Sequence, residues 1–145
     1  MLVVGVGIAT LAGCTAAPAP SDEWSTRMGD LFYGPNGGGG GASGDLGDSG
    51  TSARAGVELA VVPSGEYDVL AVCTGTGIVH IVVKSSISRG KVLAASDIAC
   101  GATLRLPFTL TAPGVDVEAI NKGTPAQWLI SIVTRGWEPA PHTWN

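Results

Sequence analysis

The chain has 145 residues, a formal net charge of −4 and only 14% charged residues. This length is enough for one domain plus a tether. The eight lysines and arginines are scattered along the sequence, whereas a nucleic-acid interface needs such cations in a cluster. The composition therefore argues against nucleic acid as a partner.

The first segment in chain order is an apolar run without charged residues, from Leu2 to Gly13. Its length fits the apolar core of a secretion signal and is too short to span a bilayer. The run ends in Leu11-Ala12-Gly13-Cys14, which is a branched apolar residue, two small residues and a cysteine. These four residues resemble the cleavage box of a bacterial lipoprotein signal peptide.

The resemblance implies that residues 1–13 are a signal peptide and that cleavage occurs before Cys14. It further implies that a diacylglycerol, with fatty acids such as palmitate, is attached to the sulfur of this cysteine. Two acyl chains are enough for stable anchoring, so the mature protein is expected on the outer side of a cell membrane. The alternative is a buried N-terminal strand or helix that contains an ordinary cysteine.

Residues 14–56 are predicted to form a lipid-anchored stalk. Within it, residues 21–33 favour a short helix that Ser21 or Asp22 can cap. Apolar side chains recur there at helical spacing, namely at Trp24, Met28, Leu31 and Phe32. Residues 34–56 contain five consecutive glycines. Because such a segment buries too little apolar surface to offset its ordering entropy, it is predicted to be a flexible linker.

From Val57 onward, apolar residues recur with the period of two that is typical of strands. Residues 78–84 form a run rich in β-branched residues, which favours a central strand. Residues 104–110 alternate, and Pro107 places this strand at a sheet edge or a bulge because proline has no N–H to donate. Further strands are predicted at 57–61, 67–73, 91–100 (one or two), 115–121 and 127–134.

About seven short strands, separated by turns, predict an all-β fold. The interpretation is a small antiparallel β-sandwich, immunoglobulin-like or jelly-roll-like, over residues 57–136. Residues 137–145 are a C-terminal tail. Tyr67 and Trp128 lie in predicted strands and are expected in the core.

Two cysteines, Cys73 and Cys100, remain once Cys14 is assigned to the lipid. An even pair in an exported chain indicates a disulfide. Because each cysteine ends a predicted strand, the bridge is expected to join two strands or two sheets. Two free buried thiols are the alternative.

Three short patterns have some features of catalytic or metal sites but lack the residues that such sites require. The segment Gly47-Asp48-Ser49-Gly50 resembles the nucleophile motif of trypsin-like proteases, but no histidine precedes His80, as that triad requires. Asp45 and Asp48 lack the ligand spacing of a calcium loop. His80 and His142 have no cysteine or carboxylate cluster at zinc-ligand spacing. No metal and no cofactor is predicted.

Two pairs of residues remain as candidates for function. Asp116 and Glu118 are predicted on one strand face, and paired carboxylates can act as acid and base on sugars. Trp137 and Trp144 lie in or near the tail, where tryptophans can stack on sugars or enter a partner surface.

The sequence contains no catalytic constellation. The favoured hypothesis is therefore a non-catalytic surface lipoprotein that presents a binding or structural module to an envelope protein or glycan. One alternative is a hydrolase of envelope glycans that uses Asp116 and Glu118. Another is an accessory subunit of an envelope complex.

Overall fold

A computed structural model describes residues 38–87 and 89–139 of the chain. Over these ranges the chain forms eight strands and one short 3-10 helix, Gly50–Ala53. The strands, labelled β1 to β8 in chain order, are Gly38–Leu46, Arg54–Leu59, Gly65–Cys73, Ile78–Ser85, Val92–Ala99, Thr103–Leu110, Val115–Asn121 and Ala126–Thr134. The prediction of an all-β fold is thus confirmed, with eight strands in place of about seven.

The strands form two antiparallel four-stranded sheets. Sheet A has the order β1-β8-β3-β6 and sheet B has the order β2-β7-β4-β5. The predicted position of Pro107 is confirmed, since β6 is an edge strand of sheet A. The β-branched run in β4 is an interior strand of sheet B, as its composition predicts.

The two sheets pack face to face around one apolar core. In β4, Val79, Ile81 and Val83 are at most 1% exposed, while His80 and Lys84 alternate with them on the outer face. Trp128 is buried in this core, and Tyr67 packs against it with its ring stacked on Phe108 at a centroid distance of 5.7 Å. The period of two in the sequence therefore corresponds directly to inner and outer faces of a β-sandwich.

The prediction of a flexible linker over residues 34–56 is wrong for residues 38–56. Strand β1 pairs with β8 from Gly38 to Leu46, and β2 begins at Arg54. Glycine contributes little apolar surface, but its backbone can still form a full antiparallel ladder with β8. A Cβ atom on Gly44 would stand 3.4 Å from the indole nitrogen of Trp128, which is van der Waals contact, so β1 lies directly against this core residue.

Within the described residues, the sandwich therefore includes residues 38–56, ahead of the predicted start at residue 57. The proposed signal peptide, Cys14 and the predicted helix at 21–33 all lie outside the described residues. The same holds for Trp144 and most of the tail. In the described ranges, no helix has the length and apolar character needed to cross a membrane.

The two sheets are joined covalently at one end. Cys73, the last residue of β3, forms a disulfide with Cys100, which directly follows β5. Since β3 belongs to sheet A and β5 to sheet B, the predicted bridge is present and connects the sheets.

Removal of this bridge with the double substitution Cys73→Ala and Cys100→Ala is expected to destabilise the sandwich. The cysteines are 27 positions apart, and a loop of that size corresponds to about 3.5 kcal/mol in the chain-entropy model. For a domain of this size, the melting temperature should fall by at least about 10 °C. Calorimetry of both proteins with and without reductant checks this, because the reductant should affect only the wild type. Equal melting temperatures would contradict a stabilising bridge.

Candidate functional site

The two predicted carboxylates lie on the outer face of sheet B. Asp116 and Glu118 are two residues apart on β7 and line one shallow depression with residues of β2 and β4. The other charged residues that line it are Arg54, Glu58 and Lys84. We call these five residues the polar face.

Strand register brings the polar face together. In sheet B, β7 lies between β2 and β4, so that Gly56 and Val82 flank Glu118. Two residues earlier on β7, Asp116 is flanked by Glu58 of β2 and Lys84 of β4. Gly56 has no side chain to project beside Glu118, which leaves room for the depression in front of this carboxylate.

Glu118 is held between two cations. Its Oε1 atom accepts a hydrogen bond from Arg54 Nη1 at 2.9 Å, and its Oε2 atom accepts one from Lys84 Nζ at 2.8 Å. The hydrogen bond from Lys84, followed by the positive charges of Lys84 and Arg54, lowers the pKa of Glu118 and outweighs the effect of its partial burial. Glu118 is therefore a fixed anion at neutral pH.

Asp116 has a different environment from Glu118. Its Oδ1 atom accepts a hydrogen bond from the hydroxyl of Ser86 at 3.0 Å. The sequence correctly predicts that both carboxylates share a face, but it does not reveal their partners. Arg54 and Lys84 lie 64 and 34 positions from Glu118, and no local pattern links residues at those separations.

A second charged group lies on the same outer face. His80 Nδ1 is 2.6 Å from Asp97 Oδ1, and Lys122 Nζ donates to the same oxygen at 3.0 Å. The hydrogen bond from Lys122 and then that from His80 lower the pKa of Asp97. His80 is thus half-buried beside an exposed carboxylate. The described residues contain no group of three or more histidines, cysteines or carboxylates placed to hold a metal ion.

Trp137 lies on the outer face of sheet A, far from the polar face. Its indole is half-buried against an apolar cluster formed by Leu70, Val72, Leu129 and Val133. Its backbone carbonyl accepts a hydrogen bond from Arg105 Nη2 at 2.8 Å, and Arg105 also pairs with the buried Asp68 at 2.6 Å. Packing accounts for the position of Trp137, and its role in binding stays a prediction.

The remaining candidates lie at the start of the sandwich. Asp45 is exposed and lies one residue before the end of β1, and Asp48 lies in the turn that follows. In that turn, the hydroxyl of Ser49 donates to Asp48 Oδ1 at 3.2 Å. Gly47 is held by Asn121, whose side-chain amide donates to its carbonyl at 2.8 Å.

Comparison with known proteins adds little to these observations. No family model matches the chain, and no curated protein matches it. Among solved structures, the chain is similar to a Clostridium thermocellum xylanase structure, which contains the CBM22-1 and GH10 modules of endo-1,4-beta-D-xylanase 10B complexed with xylohexaose. The similarity covers 59% of this chain and 19% of that chain, with 16% identity and a TM-score of 0.35. A likeness this low carries no argument about function.

The ion pairs of Glu118 lead to a pH-dependent prediction. Glu118→Gln should lower the free energy of unfolding at neutral pH by about 0.5–1 kcal/mol, the usual size for partly exposed pairs. The folded-state pKa lies below the ordinary value of 4.5. Hence the contribution of the Glu118 ion pairs to the free energy of unfolding is fully present above pH 4.5 and is lost as the pH falls through the folded-state pKa.

Urea unfolding of the wild type and the variant at neutral and acidic pH measures this difference. The control is Glu58→Gln, because Glu58 is exposed and forms no ion pair with another described residue. If the difference in the free energy of unfolding between Glu118→Gln and the wild type stays constant down to strongly acidic pH, the assigned pairing is contradicted.

Proposed function

We propose that this protein is a non-catalytic surface lipoprotein. In this proposal, a lipid on Cys14 holds the β-sandwich on the outer side of a cell membrane, and the polar face of sheet B binds a ligand in the envelope. The sequence Leu11-Ala12-Gly13-Cys14, after an apolar run without charges, supports the anchor.

The observation that carries the proposal is the disulfide between Cys73 and Cys100. Disulfides persist in oxidising compartments outside the cytoplasm and are rare inside it. A bridge in the core of the fold therefore supports export, which the lipobox resemblance requires. One observation is a feature of the N-terminal sequence, and the other is a feature of the folded domain.

The polar face is suited to a ligand that is rich in hydroxyl groups. Its carboxylates accept hydrogen bonds, while Arg54 and Lys84 donate them, within one shallow depression. The hydroxyl groups of an envelope glycan offer both hydrogen-bond donors and acceptors. We therefore propose a glycan of the envelope as the ligand.

A hydrolase that uses Asp116 and Glu118 is the second candidate, because both carboxylates line the same depression. Glycoside hydrolysis needs one carboxyl group with a raised pKa to donate a proton. The pKa of Glu118 is instead lowered, and both its oxygens accept hydrogen bonds from cations. This argues against Glu118 as the proton donor and favours a binding role.

Intact-mass analysis of the protein from a membrane fraction tests the anchor. The expected mass is that of residues 14–145 with a diacylglycerol added and two protons removed for the disulfide. Cys14→Ser should abolish the lipid mass and release the protein from the membrane fraction as lipid-dependent anchoring is lost. An unmodified chain that begins at Met1 would contradict the anchor, and a mass without the loss of two protons would contradict the oxidised pair.

Binding of envelope glycan fragments to the purified protein tests the role of the polar face. NMR titration should shift the signals of Arg54, Lys84 and their neighbours, and Lys84→Ala should weaken binding because a hydrogen-bond donor is lost. Lys122→Ala is the matched control, since Lys122 pairs with Asp97 outside the depression. Fragments that are cleaved during the titration would favour the hydrolase instead.

A further inference from the structure

One end of the sandwich carries exposed apolar side chains. Among the described residues, the large apolar side chains that are exposed are Val61 at 87%, Ile87 at 64%, Val92 at 53% and Ile78 at 45%. The first three lie where β2 and β4 end and where β3 and β5 begin. Ile78 lies at the opposite end, where β4 begins. We call Val61, Ile87 and Val92 the apolar tip.

The turns that carry Val61 and Ile87 are held together by backbone hydrogen bonds through Gly114. The amide of Ser86 donates to the carbonyl of Gly114 at 3.2 Å, and the amide of Gly114 donates to the carbonyl of Val62 at 2.9 Å. Gly114 has a φ of +98°, and a Cβ atom there would stand 3.1 Å from the Cβ of Ser86. Glycine therefore permits this close contact, which links the two turns that carry the exposed side chains.

Unpaired positive charge lies beside the apolar tip. Arg89 and Lys91 are both exposed and form no ion pair with another described residue. Two other cations at this end are paired, since Arg135 pairs with Glu66 and Lys84 with Glu118. Glu58 and Asp116 belong to the polar face on the outer side of sheet B.

The N-terminal end of the described chain emerges at the same end of the sandwich. Strand β1 begins at Gly38, which pairs with Val133 near the end of β8. Thr134, the last residue of β8, pairs with Tyr67 near the start of β3. A lipid on Cys14 would thus tether the domain by the end that carries the apolar tip, which raises the local concentration of that surface at the bilayer.

We propose that the apolar tip rests on a lipid surface that contains anionic headgroups. Val61, Ile87 and Val92 enter the boundary between headgroups and acyl chains, where exposed apolar groups gain from burial. Arg89 and Lys91 contact the phosphates, because juxtamembrane cations are attracted to anionic lipid. The proposed lipid contact of the apolar tip rests on the proposed membrane location. In this orientation, the depression of the polar face opens along the membrane surface rather than into it.

Vesicle binding tests the tip separately from the anchor when the full chain carries Cys14→Ser. Binding to vesicles of phosphatidylcholine with phosphatidylglycerol should exceed binding to pure phosphatidylcholine. The double variant Val61→Ser and Ile87→Ser should bind several-fold more weakly, whereas Ile78→Ser, an exposed apolar residue at the opposite end, should bind like its parent. Arg89→Ser with Lys91→Ser should weaken binding only to the anionic vesicles.

A carbene photolabel confined to the bilayer gives a second readout on the same samples. Peptides with Val61 and Ile87 should be labelled, and the peptide with Ile78 should not. Val61→Ser should also reduce the label on Ile87, because both residues enter as one surface. Absence of label at both residues in vesicle-bound protein would overturn the proposal and leave the tip as a surface for a protein partner. Failure of the anchor is detected separately, by the mass of the membrane-fraction protein.

Discussion

The packing of two sheets around one layer of apolar side chains is the constraint on which this structure depends. Each strand contributes alternate residues to that layer, and the disulfide between Cys73 and Cys100 fixes the sheets at one end. Sandwich cores of this kind are about 10 Å thick, because side chains from the two inner faces interdigitate. The inner positions of the described strands are therefore filled by side chains that pack against the opposite sheet. Among the described residues, the candidate sites therefore lie on the outer faces and at the ends of the sandwich.

The three outer surfaces differ in ways that follow from their residues. The outer face of sheet B is polar, and Glu118 fixes cations from two neighbouring strands there. The outer face of sheet A carries the apolar cluster against which Trp137 packs. One end of the sandwich carries the apolar tip, with the exposed cations Arg89 and Lys91 beside it. The proposed membrane location would turn the apolar tip, and not the polar face, toward the lipid.

Sequence patterns predicted most strands, because the alternation of buried and exposed positions is a local property. The edge position of Pro107 follows from its missing N–H, and the interior position of β4 follows from its β-branched run. The same reasoning failed for Gly38–Leu46, where five of the nine residues are glycine. Backbone pairing with β8 stabilises that strand, and such pairing is not visible in side-chain patterning.

The sequence by itself determined the all-β class, the shared face of Asp116 and Glu118, and the resemblance of Leu11-Ala12-Gly13-Cys14 to a lipobox. Each of these depends on residues within a few positions of one another. Only the tertiary structure decided which cations surround Glu118 and which turns bring Val61 and Ile87 to one end. The reason is physical, because strand pairing joins residues that are distant in sequence and the period of two does not specify which strands become neighbours.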